Sequence, residues 1–258
     1  MDLILTGASR GIGRALALAL PADVRLHALA RDRAALDDLA RKRPGTVVHV
    51  VDLASRADAA RVGRALDVEP GAVLVHDAGL WPSRREIVDG VERAFAVNCL
   101  GPLALQEPLL AAKKLARVLV VGAGLMIKGR FDARRTPVGD DFSWMRTYAS
   151  TKLAFAVAMR DVARDHPDVD VAVVHPGVVR TDLGNRGGPL GWLVRLAKRS
   201  WESPETCAAR LARILARPRW SAPGDARWFV LEDEQPWPAI VSASASAVRE
   251  ALSRSAPR

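Results

Sequence analysis

The 258-residue sequence has only two cysteines, Cys99 and Cys207, far apart and with no CxxC or CxxxH partner. That excludes a disulfide-stapled scaffold and a thiolate zinc site, and it suits a reducing compartment. Aromatic residues make up 5%, and tyrosine occurs once. No apolar run approaches the roughly 18 residues of a membrane span, and the opening Met1-Asp2-Leu3-Ile4-Leu5 lacks the basic flank and long apolar stretch of a secretion signal. These features predict a cytoplasmic protein with no stable membrane insertion. Lysine is scarce as well, six among 38 basic residues, so the excess over 29 acids, a formal +9, is carried by arginine. A basic balance raises nucleic acid as a partner. The arginines are interspersed with acids, however, as in Arg31-Asp32-Arg33 and Arg130-Phe131-Asp132-Ala133-Arg134-Arg135. Such mixing reads as solvated surface rather than a phosphate-tracking stripe, and no nucleic-acid partner is expected.

What is present is a regular alternation. Short apolar runs (3–5, 24–30, 47–51, 73–76) each precede a segment of helical period (13–20, 34–42, 55–66, 87–100). Runs such as Val47-Val48-His49-Val50-Val51 and Val118-Leu119-Val120-Val121 are almost continuously apolar, as parallel strands buried on both faces must be. A polar, basic stretch runs to Asp141, then a helix is expected from about Trp144 to Asp165 and a strand at Val171–His175. No repeat or linker divides the chain. The pattern predicts one α/β domain over residues 1–258, a doubly wound Rossmann fold on a mostly parallel, seven-stranded sheet. Six of the seven tryptophans lie beyond residue 143. Most of them are expected to fill the core and an interface. Trp192 and Trp201 sit in an amphipathic basic stretch that reads as a lid, about residues 183–203, over an apolar substrate. Contact of that stretch with a membrane surface is the weaker alternative.

Four stretches point to chemistry. Thr6-Gly7-Ala8-Ser9-Arg10-Gly11-Ile12-Gly13 stands where the first strand turns into a helix. Gly7 permits the turn, Gly11 lets backbone approach a pyrophosphate, and Gly13 lets helix pack on strand, while Ser9, Arg10 and Ile12 line the loop. At the end of the second strand, where an acid would favour a ribose 2′-hydroxyl, stand Ala30 and Arg31. A guanidinium there, with Arg10 approaching from the loop, suits a 2′-phosphate and hence NADP(H). Tyr148-Ala149-Ser150-Thr151-Lys152 puts a phenol and an ammonium four residues apart on one helix face. A fixed cation beside a phenol is expected to favour phenolate and bring its pKa toward the working range. Finally, Pro176, Gly177 and Val179 are expected to keep backbone close to a nicotinamide, with Thr181 bonding its amide or the pyrophosphate.

The TGxxxGxG spacing together with the Tyr148–Lys152 pair resembles the short-chain dehydrogenase/reductase family. Tyr148–Lys152-Leu153-Ala154, His175–Thr181 and Ala226-Arg227-Trp228-Phe229 are similar to its retinol-dehydrogenase-like branch. The resemblance implies NADP(H)-dependent hydride exchange with an apolar aldehyde, ketone or alcohol. It makes Tyr148 the proton donor or acceptor and gives Lys152 the ribose hydroxyls. It also implies that Asn98 helps hold a water for proton relay, that Asp52 and Leu53 contact adenine, that Ala78 and Gly79 approach the ribose, and that the chain is a homodimer or homotetramer. The sequence departs from the family pattern in two places. His76-Asp77 stands where relatives have two asparagines; His76 reads as a satisfied strand-end residue. Ala123 stands where the family has the serine that donates to the substrate oxygen, and losing such a donor typically costs about 10²–10³ in turnover. Thr136, Ser143 or a water held by the 122–124 backbone are the candidate replacements. Ala123 also leaves an alternative reading, an impaired NADP(H)-binding sensor or partner subunit.

Overall fold

The glycine loop hangs from the first of several fully covered strands. β1 (Asp2–Thr6) and β4 (Ala72–His76) are buried at all five positions, and β2 (Arg25–Ala30) is buried at all but its first. The computed structural model describes residues 1–180 and 201–255. In it these strands join β3 (Val47–Val50), β7 (Leu115–Val121), β8 (Asp170–His175) and β9 (Ala226–Val230) in a parallel array. The sequence predicts seven strands. The sheet carries an eighth, β10 (Asp233–Gln235), which pairs antiparallel with β9, and the order is β10-β9-β8-β7-β4-β1-β2-β3. All three residues of β10 are exposed, so no apolar alternation announces it.

Helices cover both faces. On one side α1 (Gly11–Ala19), α2 (Arg33–Lys42) and α7 (Pro204–Leu215) bury Leu16, Leu36, Leu39 and Leu211 against the sheet. On the other, α3 (Arg56–Ala65), α5 (Gly101–Ala111), α6 (Trp144–Asp165) and the C-terminal α9 (Ala245–Arg254) bury Val62, Leu105, Phe155 and Val248. α8 (Ala239–Ala243) leads into α9. α3 and α5 approach so closely that a Cβ on Gly63 would lie 2.2 Å from the Leu105 carbonyl oxygen. Trp220, Trp228 and Trp237 serve the core as expected: Trp220 donates to the Ile214 carbonyl, Trp237 to that of Ala226, and Trp228 lies between the rings of His175 and Trp237.

The helix expected over 87–100 begins later. Asp89 and Gly90 both adopt positive φ (49° and 78°), the signature of a tight hairpin turn, and join β5 (Ile87–Val88) to β6 (Val91–Glu92). Glu92 then caps α4 (Arg93–Phe95) by accepting from the Ala94 and Phe95 amides. A π-helical turn, Ala96–Leu100, connects α4 to α5. The combined helix Arg93–Ala111 is long and apolar enough to cross a bilayer, contrary to the reading of the runs alone, but 67% of it is buried inside the protein.

Strand order reverses between β1 and β4, and ligands of such sheets bind beyond the strands' C-terminal ends at that point. The segments after β1, β4, β7 and β8 therefore converge on one cleft. At its far side Val179 pairs with Glu202, the Arg180 amide donates to the Glu202 carbonyl, and the Glu202 amide donates to that of Val178. The chain thus leaves the described residues and rejoins them at adjacent points.

Candidate active site

The loop after β1 is shaped by close approach. Gly7 and Gly11 have φ of 75° and 58°. A Cβ on Gly13 would sit 2.5 Å from the Gly7 carbonyl oxygen, and one on Gly7 would sit 2.8 Å from the Ala78 nitrogen. Thr6 Oγ1 accepts from the amides of Asp77 and Ala78, fixing the loop after β4 against the glycine loop. α1 begins at Gly11 with no acidic residue in its first turn, which leaves its positive end available to an anion. Arg10 and Arg31 are exposed, and among the described residues neither guanidinium has a hydrogen bond or an ion pair. Arg33, by contrast, is held by Asp37. Asp52 uses one carboxylate oxygen on the Ala54 amide, while Leu53 is buried beside Gly101. These residues fit a nicotinamide dinucleotide: glycine backbone and a helix start for the pyrophosphate, unpaired guanidinium groups for a 2′-phosphate, and a carboxylate oxygen for the adenine amine.

Deeper in the cleft, Tyr148 and Lys152 are both buried on α6. Lys152 Nζ donates to the Val121 carbonyl at 3.0 Å and would lie 3.4 Å from a Cβ on Gly79, so Gly79 keeps open the space beside the ammonium. Burial draws the ammonium down to about 8, with the Asp77 charge opposing. Asp77 is itself pushed up to about 7 by desolvation, with the Lys152 charge and the Gly13 amide opposing. The phenol departs from expectation. Burial and the Asp77 charge drive Tyr148 above the usual tyrosine range, so the carboxylate offsets the influence expected of Lys152 and the group stays protonated at neutral pH.

Asn98 lies in the π turn, where the widened backbone turns its side chain toward the loop after Gly79. Its Oδ1 accepts from the Leu80 amide at 2.7 Å, and its Nδ2 donates to the Leu80 carbonyl and to Thr151 Oγ1. The amide clamps residues 79–81 to α6. His76 is a buried strand-end residue, with Nε2 3.0 Å from Gln106 Oε1 and its ring edge-on to Phe155; it is only half satisfied, because Nδ1 has no partner among the described residues. Ala123 is buried at the start of the 3₁₀ turn Gly124–Lys128, which packs on α6. Thr136 is committed elsewhere: its hydroxyl bonds Asp141 and accepts from the Asp132 amide. Ser143 precedes α6 and makes no side-chain cap. Pro176, Gly177 (φ 90°) and Val179 line the β8 end of the cleft, and the Pro176 carbonyl accepts from Arg210. Thr181, Trp192 and most of the expected lid lie outside the described residues.

The sequence profile described as the NAD dependent epimerase/dehydratase family matches residues 3–181, from β1 past the Tyr148–Lys152 pair. D-erythrulose reductase of Gallus gallus is 32% identical over 218 residues, 82% of this chain and 79% of that protein. The chain belongs to the short-chain dehydrogenase/reductase family. It is an oxidoreductase of that family. Retinol dehydrogenase 14 of Mus musculus is 33% identical, the match covering 70% of this chain and 62% of that longer protein. An alcohol dehydrogenase from Thermococcus sibiricus, solved with 5-hydroxy-NADP, shares the fold at TM-score 0.66 and 23% identity over 92% of this chain and 99% of that one.

Sequence reasoning missed the neighbour of Tyr148. Trp81 stacks on Tyr148 with ring centroids 4.4 Å apart and planes within 4° of parallel, and it also stacks on Trp144 at 5.7 Å. Its one signal in the sequence was position: it is the single tryptophan before residue 144 and stands two residues after Gly79.

Proposed function

We propose that the chain reduces apolar aldehydes and ketones to alcohols with NADPH, Tyr148 giving the proton to the carbonyl oxygen. The observation that carries this reading is the Tyr148 phenol, buried within a cleft that the glycine loop, Gly79 and Lys152 make fit for a nicotinamide dinucleotide. When bound, the nicotinamide supplies the hydride. The chain's own residues do the rest. Tyr148 holds the proton at its Oη, the form that gives a proton to a carbonyl oxygen in the reductive direction. Lys152 faces the space beside Gly79, where it can hold ribose hydroxyls and return a proton to the phenol. Asn98 holds residues 79–81 in place. Arg31 and Arg10, unpaired and exposed, take the 2′-phosphate and favour NADP(H) over NAD(H). An apolar substrate is supported by the aromatic wall of Trp81 and Trp144 and by retinol dehydrogenase 14; the interconversion of carbonyl and alcohol is supported by that relative and by D-erythrulose reductase, whose named ketone is polar. Thr181 and Trp192 keep their assignments to nicotinamide and substrate, and the cytoplasm and a homodimer or homotetramer remain the expected setting. The two free, buried cysteines agree with a reducing compartment.

The experiment is turnover of an aldehyde and ketone panel with NADPH, beside fluorescence titration of NADPH and NADH. Tyr148→Phe should lower turnover by about 10²–10⁴-fold while leaving NADPH affinity in place. Arg31→Ala should weaken NADPH by about 10–100-fold and NADH little. The second reading, a nucleotide-binding sensor, is favoured by Ala123. It gains if the unaltered chain binds NADPH, reduces none of the panel, and becomes active as Ala123→Ser.

A further inference from the structure

Ala123 leaves the substrate oxygen one donor short, and the structure narrows the replacements. Thr136 has both roles of its hydroxyl engaged within the 132–141 loop. Trp81 offers what the site lacks. Its indole nitrogen is buried and, among the described residues, has no hydrogen-bond partner, an uncommon condition for a group that can only donate. A buried N–H without a partner costs free energy until something accepts from it. The ring bearing it lies flat against Tyr148, 4.4 Å between centroids, and its backbone follows directly on Leu80, which Asn98 clamps through both its amide and its carbonyl. The indole is thus a braced group in contact with the proton donor. Of the other buried nitrogens left unpaired near the cleft among the described residues, His76 Nδ1 sits on a ring already held by Gln106 and Phe155 in the core, and His175 Nδ1 on a ring stacked against Trp228.

We infer that the Trp81 indole N–H is the second donor to the substrate's carbonyl oxygen, taking the place of the missing hydroxyl at position 123. The inference rests on the reductase reading above. An oxygen seated at the shared rim of the two stacked rings receives the Tyr148 proton and a hydrogen bond from Trp81. The indole proton stays on its nitrogen throughout, so the tryptophan stabilises the developing negative charge without entering the proton balance. The stacked ring also excludes water from one side of the oxygen, which strengthens both interactions. Because the donor is carried on a flat apolar ring rather than a small hydroxyl, the site should favour carbonyls flanked by flat or aliphatic apolar groups over polyhydroxylated ones.

Trp81→Phe keeps a flat ring on Tyr148 and removes only the N–H. With acetophenone as substrate, kcat should fall by about 10–100-fold, with the NADPH dissociation constant unchanged within about twofold. Adding Ala123→Ser to that variant should recover most of the loss, which repacking at position 81 alone would not produce. A readout independent of turnover is the ¹⁵N–¹H resonance of the Trp81 indole, identified by its disappearance in Trp81→Phe. In the unreactive combination of NADP⁺ and acetophenone it should move downfield as the ketone is added. Unchanged kcat in Trp81→Phe, or an indole resonance indifferent to acetophenone, overturns the inference. If the unaltered chain reduces no carbonyl but the resonance still shifts, the reductase reading fails and the donor assignment stands.

Discussion

Asp77 follows β4, where it meets both the glycine loop and Lys152. Its carboxyl is pushed up to about 7 by desolvation, so close to neutral pH it divides between a neutral and a charged form. A nucleotide pyrophosphate at the start of α1 adds negative charge nearby and favours the protonated form further. Binding then takes up a proton, and affinity falls as pH rises through about 7. NADPH titrations should show affinity weakening by about three- to tenfold between roughly pH 6 and pH 8. Asp77→Asn should flatten that dependence and tighten binding at the alkaline end. It should also let the Lys152 amine fall further below its usual range, since the Asp77 charge is what holds it up. A pH profile of Kd that keeps its slope in Asp77→Asn would assign the titration to another group. None of this was legible in the sequence beyond the bare departure from the family pattern. The carboxylate acquires its pKa from burial, opposed by groups brought to it across 64 residues on one side and 75 on the other, at Gly13 and Lys152.

Between elements, the tightest joint is that of α3 and α5. Gly63→Ala puts a methyl 2.2 Å from the Leu105 carbonyl oxygen and 2.9 Å from Pro108 Cγ, and backbone cannot move aside as a flexible side chain would. Alanine's better helix propensity, worth about 1 kcal/mol, opposes a packing cost of about 1–3 kcal/mol or more. The net effect should be destabilising, read as a lowered urea midpoint with m unchanged. The elements themselves were largely readable. Buried parallel strands announce themselves as apolar runs, and α6 spans the residues its periodicity suggested. The β5–β6 hairpin was hidden because apolar residues in 87–100 fit a helical period, although Asp89-Gly90 carries the turn chemistry. β10 was hidden because an edge strand of three exposed polar residues has no pattern to read. In the site, the Tyr148–Lys152 pair was legible because one helix turn fixes it locally. The Trp81 stack joins two loops' worth of chain, so spacing could not reveal it.

For the molecule as a whole, buried histidines set the response to acid. His27 is drawn down to about 4 by burial, with His49 and Arg25 adding to the effect, and His76 to about 4 by burial. His49 and His175 are lowered by burial as well. Folded-state values below the ordinary 6.5 mean that the unfolded chain binds more protons across that interval. Their contribution to stability is present above about pH 6.5 and is lost as pH falls toward 4. Thermal melts should drop by several degrees between pH 7 and pH 5, on the order of 5–10 °C. A flat melting temperature over that range would show these rings to be solvated. His27 and His49, stacked at 5.4 Å on β2 and β3, place part of this sensitivity on the far wing of the sheet from β8 and β9.

The neighbouring anchors at Val179 and Glu202 have a bearing on how such a protein diversifies. Because Val179 and Glu202 are paired with each other, a change in the length of chain between them leaves the register of the sheet unaltered. Length can therefore drift between the two anchors while the sheet is inherited intact.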